Sequence, residues 1–194
     1  EVPGVILDLR INGGGSGWLA DQMAAYFFDK EIIVGNTARY NKGSGEFYTD
    51  PGDETLMIPP RKELQYSGPV VVMVGPACAS ACEFFSYNMT IDNRAAIIGQ
   101  YSSDGAGGSV EQFLMPENIY TQMTTGRAVG AQGDIHLEGK GVVPTVKVPV
   151  TAETLFKEAN GEDIILDAAI AYLDDPTAGA SLPPAAAAPK LIVD

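Results

Sequence analysis

Basic residues, histidine, cysteine and long apolar runs are all scarce in this chain of 194 residues. Twelve lysines and arginines stand against 25 aspartates and glutamates, a net charge of −13. That balance repels phosphate backbones and offers no positive field to draw them in, so nucleic acid is not expected as a partner. Apolar segments are short and broken by glycine, proline or charge, and none approaches the roughly 18 residues that could span a bilayer as a transmembrane helix. No basic stretch followed by an apolar one opens the chain, and Val5 to Leu9 turns apolar at once; any signal peptide is expected upstream of Glu1. One histidine and two cysteines, Cys78 and Cys82, are too few for a three- or four-ligand zinc site, and neither a metal nor another cofactor is expected. The cysteines are expected as two buried free thiols, with a local disulfide as the alternative if Cys78 precedes a helix.

Glycine and proline are plentiful, 22 and 13 residues, so turns and close backbone approaches make up much of the chain. Its length suits one well-cored domain and falls short of two. Val5 to Leu9, running toward Gly13-Gly14-Gly15, reads as a buried strand feeding a glycine turn. Leu19, Met23, Tyr26 and Phe27 recur at helical spacing over 17–28, and 32–38 reads as a strand. Residues 39–66, polar and carrying Pro59-Pro60, read as a long excursion with an edge hairpin. A second apolar strand spans 69–74, followed by a helix over 80–91 and a short strand over 95–99. Residues 110–114 and 119–124 read as an antiparallel pair, 142–150 as edge chain interrupted by Pro144, and 151–158 and 164–173 as helices. The strand-to-helix units imply an α/β domain, a mainly parallel sheet covered by helices. That core is placed at 1–175; residues 176–194 are Pro/Ala-rich and read as a tail or linker without chemistry.

Two stretches of small residues carry the candidate chemistry. Gly75 to Glu83 joins a buried strand to a helix, which exposes the Ser80 hydroxyl at a strand's carboxyl end beside free helix N–H groups, an arrangement suited to acyl transfer. Ser80 with Glu83 also fits a capping box, in which the serine only accepts the N–H of residue 83. The small residues upstream, which a cap does not need, weigh toward a nucleophile. Gly13-Gly14-Gly15 reads either as a simple turn or as backbone presenting an N–H opposite that serine.

Asp8-Leu9-Arg10-Ile11-Asn12-Gly13-Gly14-Gly15, then Gly68 to Val74, Ala79-Ser80-Ala81-Cys82-Glu83, Asn93 to Gly99 and Gly139 to Pro144 follow one another as ordered blocks. Over Val5 to Val150 they resemble the core of the tail-specific or carboxyl-terminal processing peptidases, the S41 serine peptidases. The resemblance implies a crotonase-like or ClpP-like fold of ββα units and a serine endopeptidase. It implies Ser80 as nucleophile and the N–H of Ala81 as one oxyanion donor. The other donor is a glycine of the 13–15 run, Gly14 foremost, with Gly13 and Gly15 as alternatives. The implied partner is a protein or peptide substrate, held as an added strand and cut near its carboxyl terminus.

One position departs from the processing peptidases. Their Ser–Lys dyad places a lysine just before a Gly-Ser-Val sequence; here Gly107 precedes Gly108-Ser109-Val110, and no lysine occurs between residues 63 and 139. The other branch, with tricorn protease and the chlamydial protease-like proteins, uses Ser–His–Glu, its glutamate following the serine by just under sixty residues. Glu138 stands 58 residues after Ser80 (138 − 80) and is the candidate that orients the base. In that branch the histidine comes from well upstream of the first glycine block. The base is therefore expected from an N-terminal part of the protein outside this chain, which alone is expected to be inactive. His136, the one histidine present, is the alternative; on a strand it would share a face with Glu138 yet stand about 6–7 Å from it along the strand.

Other readings stay open: a non-catalytic peptide- or ligand-binding module on the same fold, an esterase or acyltransferase with the same triad, and a structural part of a larger assembly. The acidic, lysine-poor composition and the resemblance together point outside the cytoplasm, to a secreted, periplasmic or cell-surface protein.

Overall fold

The computed structural model describes residues 4–177. Most of the tail expected over 176–194 lies outside the described residues. The elements in chain order are β1 (Val5–Asp8), α1 (Gly17–Ala24), β2 (Ile32–Asn41), β3 (Glu46–Tyr48), β4 (Thr55–Met57), β5 (Val70–Met73), α2 (Ala81–Asn88), β6 (Ala96–Gly99), β7 (Gly108–Leu114), β8 (Tyr120–Gly130), β9 (Val146–Lys147), α3 (Ala152–Ala159) and α4 (Ile164–Asp174). They build two sheets: a parallel one in the order β1-β5-β6-β9, and an antiparallel one in the order β3-β2-β8-β7 with β4 on β2. The α/β class is as expected, but the antiparallel part is a full second sheet and not an edge hairpin.

Strand β5 anchors the core because its apolar run serves both faces. Val70 and Val72 pack with Ala20 and Ala24 of α1 and with Cys82 and Phe85 of α2. Val71 and Met73 pack with Ile98 of β6 and with Ile164 and Ala169 of α4. The period-two alternation divides these side chains, and an unbroken apolar run is what a strand covered on both sides requires.

Two stretches are more regular than their composition suggested. Strand β2 continues to Asn41 and turns into β3, with Arg39 opposite Tyr48. Gly45 supplies φ +75° in that turn, and Asn41 Oδ1 accepts the N–H groups of Gly43 and Ser44. Strand β8 runs past the expected end at 124 to Gly130, because its last residues pair with β2, from Arg39↔Gly126 to Gly35↔Gly130. The helix expected over 80–91 ends at Asn88, and a separate 3-10 turn covers Ile91–Asn93. Strand β9 is held to two residues just beyond Pro144.

Candidate active site

Strands β1 and β5 run side by side, Val5↔Val70 through Asp8↔Met73, so both end at one edge of the sheet. The Leu9 N–H donates to the Met73 carbonyl at 3.0 Å, and the Ala79 N–H to the Asn12 carbonyl at 3.1 Å. The glycine bend is thereby tied to the segment ahead of Ser80. Gly14, at φ +99°, lies so near that a Cβ there would stand 2.7 Å from Ser80 Cβ and 2.9 Å from the Ala81 nitrogen. Only glycine fits. Ser80 itself has φ 56° and ψ −122°, a backbone state that costs a non-glycine residue about 1–3 kcal/mol and persists only where its surroundings impose it.

Glu83 is one of those surroundings. Its side chain is fully buried and accepts four donors: Ser80 N–H at 3.1 Å, Ser103 Oγ–H at 2.6 Å, Gly105 N–H at 2.7 Å and Ala106 N–H at 2.9 Å. A carboxylate out of water needs such a complement. The glutamate half of the capping box is therefore real and extended into a clamp on the 103–106 loop. On the serine half, the Glu83 N–H donates to the Ser80 carbonyl at 2.8 Å, with the Ser80 side chain facing the same N–H in the capping-box arrangement.

One expectation about this elbow is corrected. Cys78 and Cys82 are not free thiols: they form a disulfide with Cα atoms 5.5 Å apart. Cys78 lies in the turn before α2, its N–H on the Gly75 carbonyl, and that placement brings the pair into bridging range. Both are buried, as expected. The Gly14 N–H, expected as an oxyanion donor, donates to Asn12 Oδ1 at 2.9 Å. The amides without an acceptor among the described residues include those of Ala81, at the start of α2, and Gly15, which lines the cleft beside Ser80.

The segment holding His136 and Glu138 is a turn and not a strand; the Lys140 and Gly141 N–H groups both reach the Leu137 carbonyl. The common face that a strand would have given the two is absent. Glu138 is exposed and accepts from Arg127 Nε at 2.7 Å through Oε2. His136 is half-buried and stacks on Tyr87 with ring centroids 4.2 Å apart, its Nδ1 buried and without a partner. Burial lowers its pKa, opposed by the carboxylate and backbone of Asp134 and helped by Lys140, so the imidazole is neutral at pH 7. Asp134, unremarked in the sequence, is thus the carboxylate that acts on His136.

Ser80, Gly15 and His136 all line one cleft of about 660 Å³ between α1, α2, β2 and β8. Its wall also holds a pair that sequence reasoning missed. Asp21 is buried and accepts from Asn88 Nδ2 at 2.7 Å, and burial pushes its pKa up to about 6 against that hydrogen bond. An aspartate within an amphipathic helix, among residues that otherwise face the core, was the available signal. Gly107, where the dyad branch carries lysine, is packed so that a Cβ would stand 2.7 Å from Leu137 Cβ.

The profile of Peptidase family S41 matches residues 1–148. A carboxy-terminal-processing protease of Bartonella bacilliformis is 28% identical over 167 residues, 86% of this chain and 35% of that protein. A protein of Chlamydia trachomatis is 28% identical over 152 residues, covering 71% of this chain and 24% of its own length. The chain therefore spans about a quarter to a third of these relatives. Among solved structures, a putative peptidase from Parabacteroides merdae superposes with a TM-score of 0.71 at 24% identity, covering 89% of this chain and 52% of that one. Mature CPAF complexed with lactacystin gives 0.69 at 20% identity, with 91% and 43% covered. Tricorn protease gives 0.58 at 17% identity, with 89% and 15% covered. At these identities the structural likeness concerns the fold.

Proposed function

The chain belongs to peptidase family S41, and on that premise we propose that it carries the nucleophile and oxyanion donors of a serine endopeptidase acting through an acyl-enzyme on Ser80. The observation that carries the proposal is the strained Ser80 at the start of α2, packed against a bend that only glycine can form. Strain of this kind clusters where a side chain must be presented to a reacting partner.

In the proposed reaction Ser80 Oγ attacks the carbonyl carbon of the scissile bond while an imidazole takes its proton. The carbonyl oxygen becomes an oxyanion, which accepts hydrogen bonds from the Ala81 N–H and from the glycine bend. Gly15 is the free donor there; Gly14 would serve once Asn12 releases it. The imidazolium then protonates the leaving amine, and water hydrolyses the acyl ester. The base is a histidine from a part of the protein outside this chain. Glu138 keeps Oε1 available to orient it, since Arg127 binds Oε2. A second reading is favoured by one observation: His136 lines the same cleft as Ser80, neutral and with an unpartnered Nδ1.

The buried disulfide beside the nucleophile supports an extracytoplasmic home, because such bridges persist in oxidising compartments. A fluorophosphonate should label the full-length protein at Ser80, with no labelling in Ser80→Ala. Labelling that survives His136→Ala assigns the base elsewhere in the protein, and labelling equal to the Ser80→Ala control would sink the peptidase reading.

A further inference from the structure

We propose that the cleft beside Ser80 selects peptides bearing a cationic side chain, arginine or lysine, and that Asp21 reads it. The proposal rests on the peptidase reading above and names its substrate class.

Three observations converge. Asp21 is only 5% exposed and its amide partner Asn88 only 2%, so this acid is built into the wall and is not a solvated surface charge. Asn88 supplies one donor, to Oδ1, and no other donor reaches the carboxyl among the described residues. The neighbouring Gln22 amide is committed to the Leu56 carbonyl at 2.7 Å. Among the described residues the buried side-chain atoms that lack any partner are Gln100 Nε2 and His136 Nδ1, so Asp21 Oδ2, also partnerless there, keeps an opening to the cleft it lines. A carboxylate so placed lacks a counter-charge, and burial raises its pKa to about 6.

The rest of the lining has the same sign. Glu54 faces the cleft together with Asp21, and among the described residues no lysine or arginine does. Trp18, which is 71% exposed, lines the cleft as an aromatic face on which a guanidinium or ammonium can rest. A substrate cation entering here meets a carboxylate already stripped of water, whereas a neutral side chain leaves that carboxylate uncompensated. Discrimination built on an unpaired buried polar group is the stronger kind.

Trp18 is the single tryptophan of the chain and reports occupancy without turnover. The test titrates the Ser80→Ala chain with blocked peptides that differ only in arginine or its neutral analogue citrulline, scanned along the peptide. At one position the arginine peptide should quench Trp18 with about tenfold lower Kd, and Asp21→Asn should bring the ratio below about twofold. Equal affinity at every position overturns the proposal, as does a preference that survives in a folded Asp21→Asn chain. If that variant does not fold, the same ratio is followed from pH 7.5 to pH 5. Glu54 and His136 are the other titratable groups of the cleft, and a His136→Gln background removes the imidazole's repulsion at low pH. The arginine preference should fall through about pH 6, and a preference unchanged at pH 5 overturns the assignment. Because quenching reads binding alone, missing fluorophosphonate labelling would count against the peptidase and not against this selection.

Discussion

The Cβ that residue 14 lacks decides whether the elbow can form. Restoring it in Gly14→Ala would drive an atom against Ser80 Cβ, the Ala79 carbonyl and the Ala81 nitrogen at once. Ser80, the proposed nucleophile, would have to move, and a misplacement of about 1 Å costs roughly a hundredfold in rate. Fluorophosphonate labelling of Gly14→Ala should therefore slow by about that factor, with circular dichroism unchanged. Single residues were also where the sequence spoke most clearly: Ser80, Ala81 and the 13–15 bend fall together in space. It was misleading where a side chain had two suitors. Asn12 claiming the Gly14 N–H is a local Asx pattern, but nothing local says that Arg127, eleven residues away along the chain (138 − 127), claims Glu138. Gly107 shows the converse case. Its lack of a side chain is explained by Leu137 packing against it, so the place where the dyad branch keeps its lysine is filled.

Among the elements, β5 lies at the centre of the packing, with its residues feeding two separate clusters. Met73→Ala would leave a void among β6 and α4 neighbours and should cost about 2–5 kcal/mol in chemical denaturation; a cost below about 1 kcal/mol would mean that this core is loosely packed. Strands with continuous apolar runs were legible because burial on both faces leaves no other pattern. The antiparallel sheet was not, because β2 and β8 find each other across about ninety residues of chain and their exposed positions carry no strong period (Gly35↔Gly130). The turn over 136–141 escaped for a similar reason. Its geometry comes from contacts to the 103–107 loop, such as the Gly139 N–H on the Gly105 carbonyl at 2.8 Å, and with it went the expected alignment of His136 with Glu138.

At the scale of the whole molecule, acidity is the dominant feature, and Asp21 links it to stability. Its folded pKa near 6 lies above the ordinary value of 3.8, so the native state binds this proton more tightly than the unfolded chain. The group favours folding fully below about pH 3.8 and loses that contribution as pH rises through about 6. Asp21→Asn should flatten this part of the stability profile in urea melts between pH 4 and 6, and an unaltered slope there would show that Asp21 titrates normally. The Cys78–Cys82 bridge works on the opposite scale. With a sequence separation of 4, its ring is too small to restrain much of the unfolded chain, worth about 2 kcal/mol by loop-closure reckoning against nearly 5 for a ring of a hundred residues. It acts as a local splint, stiffening the few peptide units around one hydroxyl while the remainder of the domain is left to its own packing.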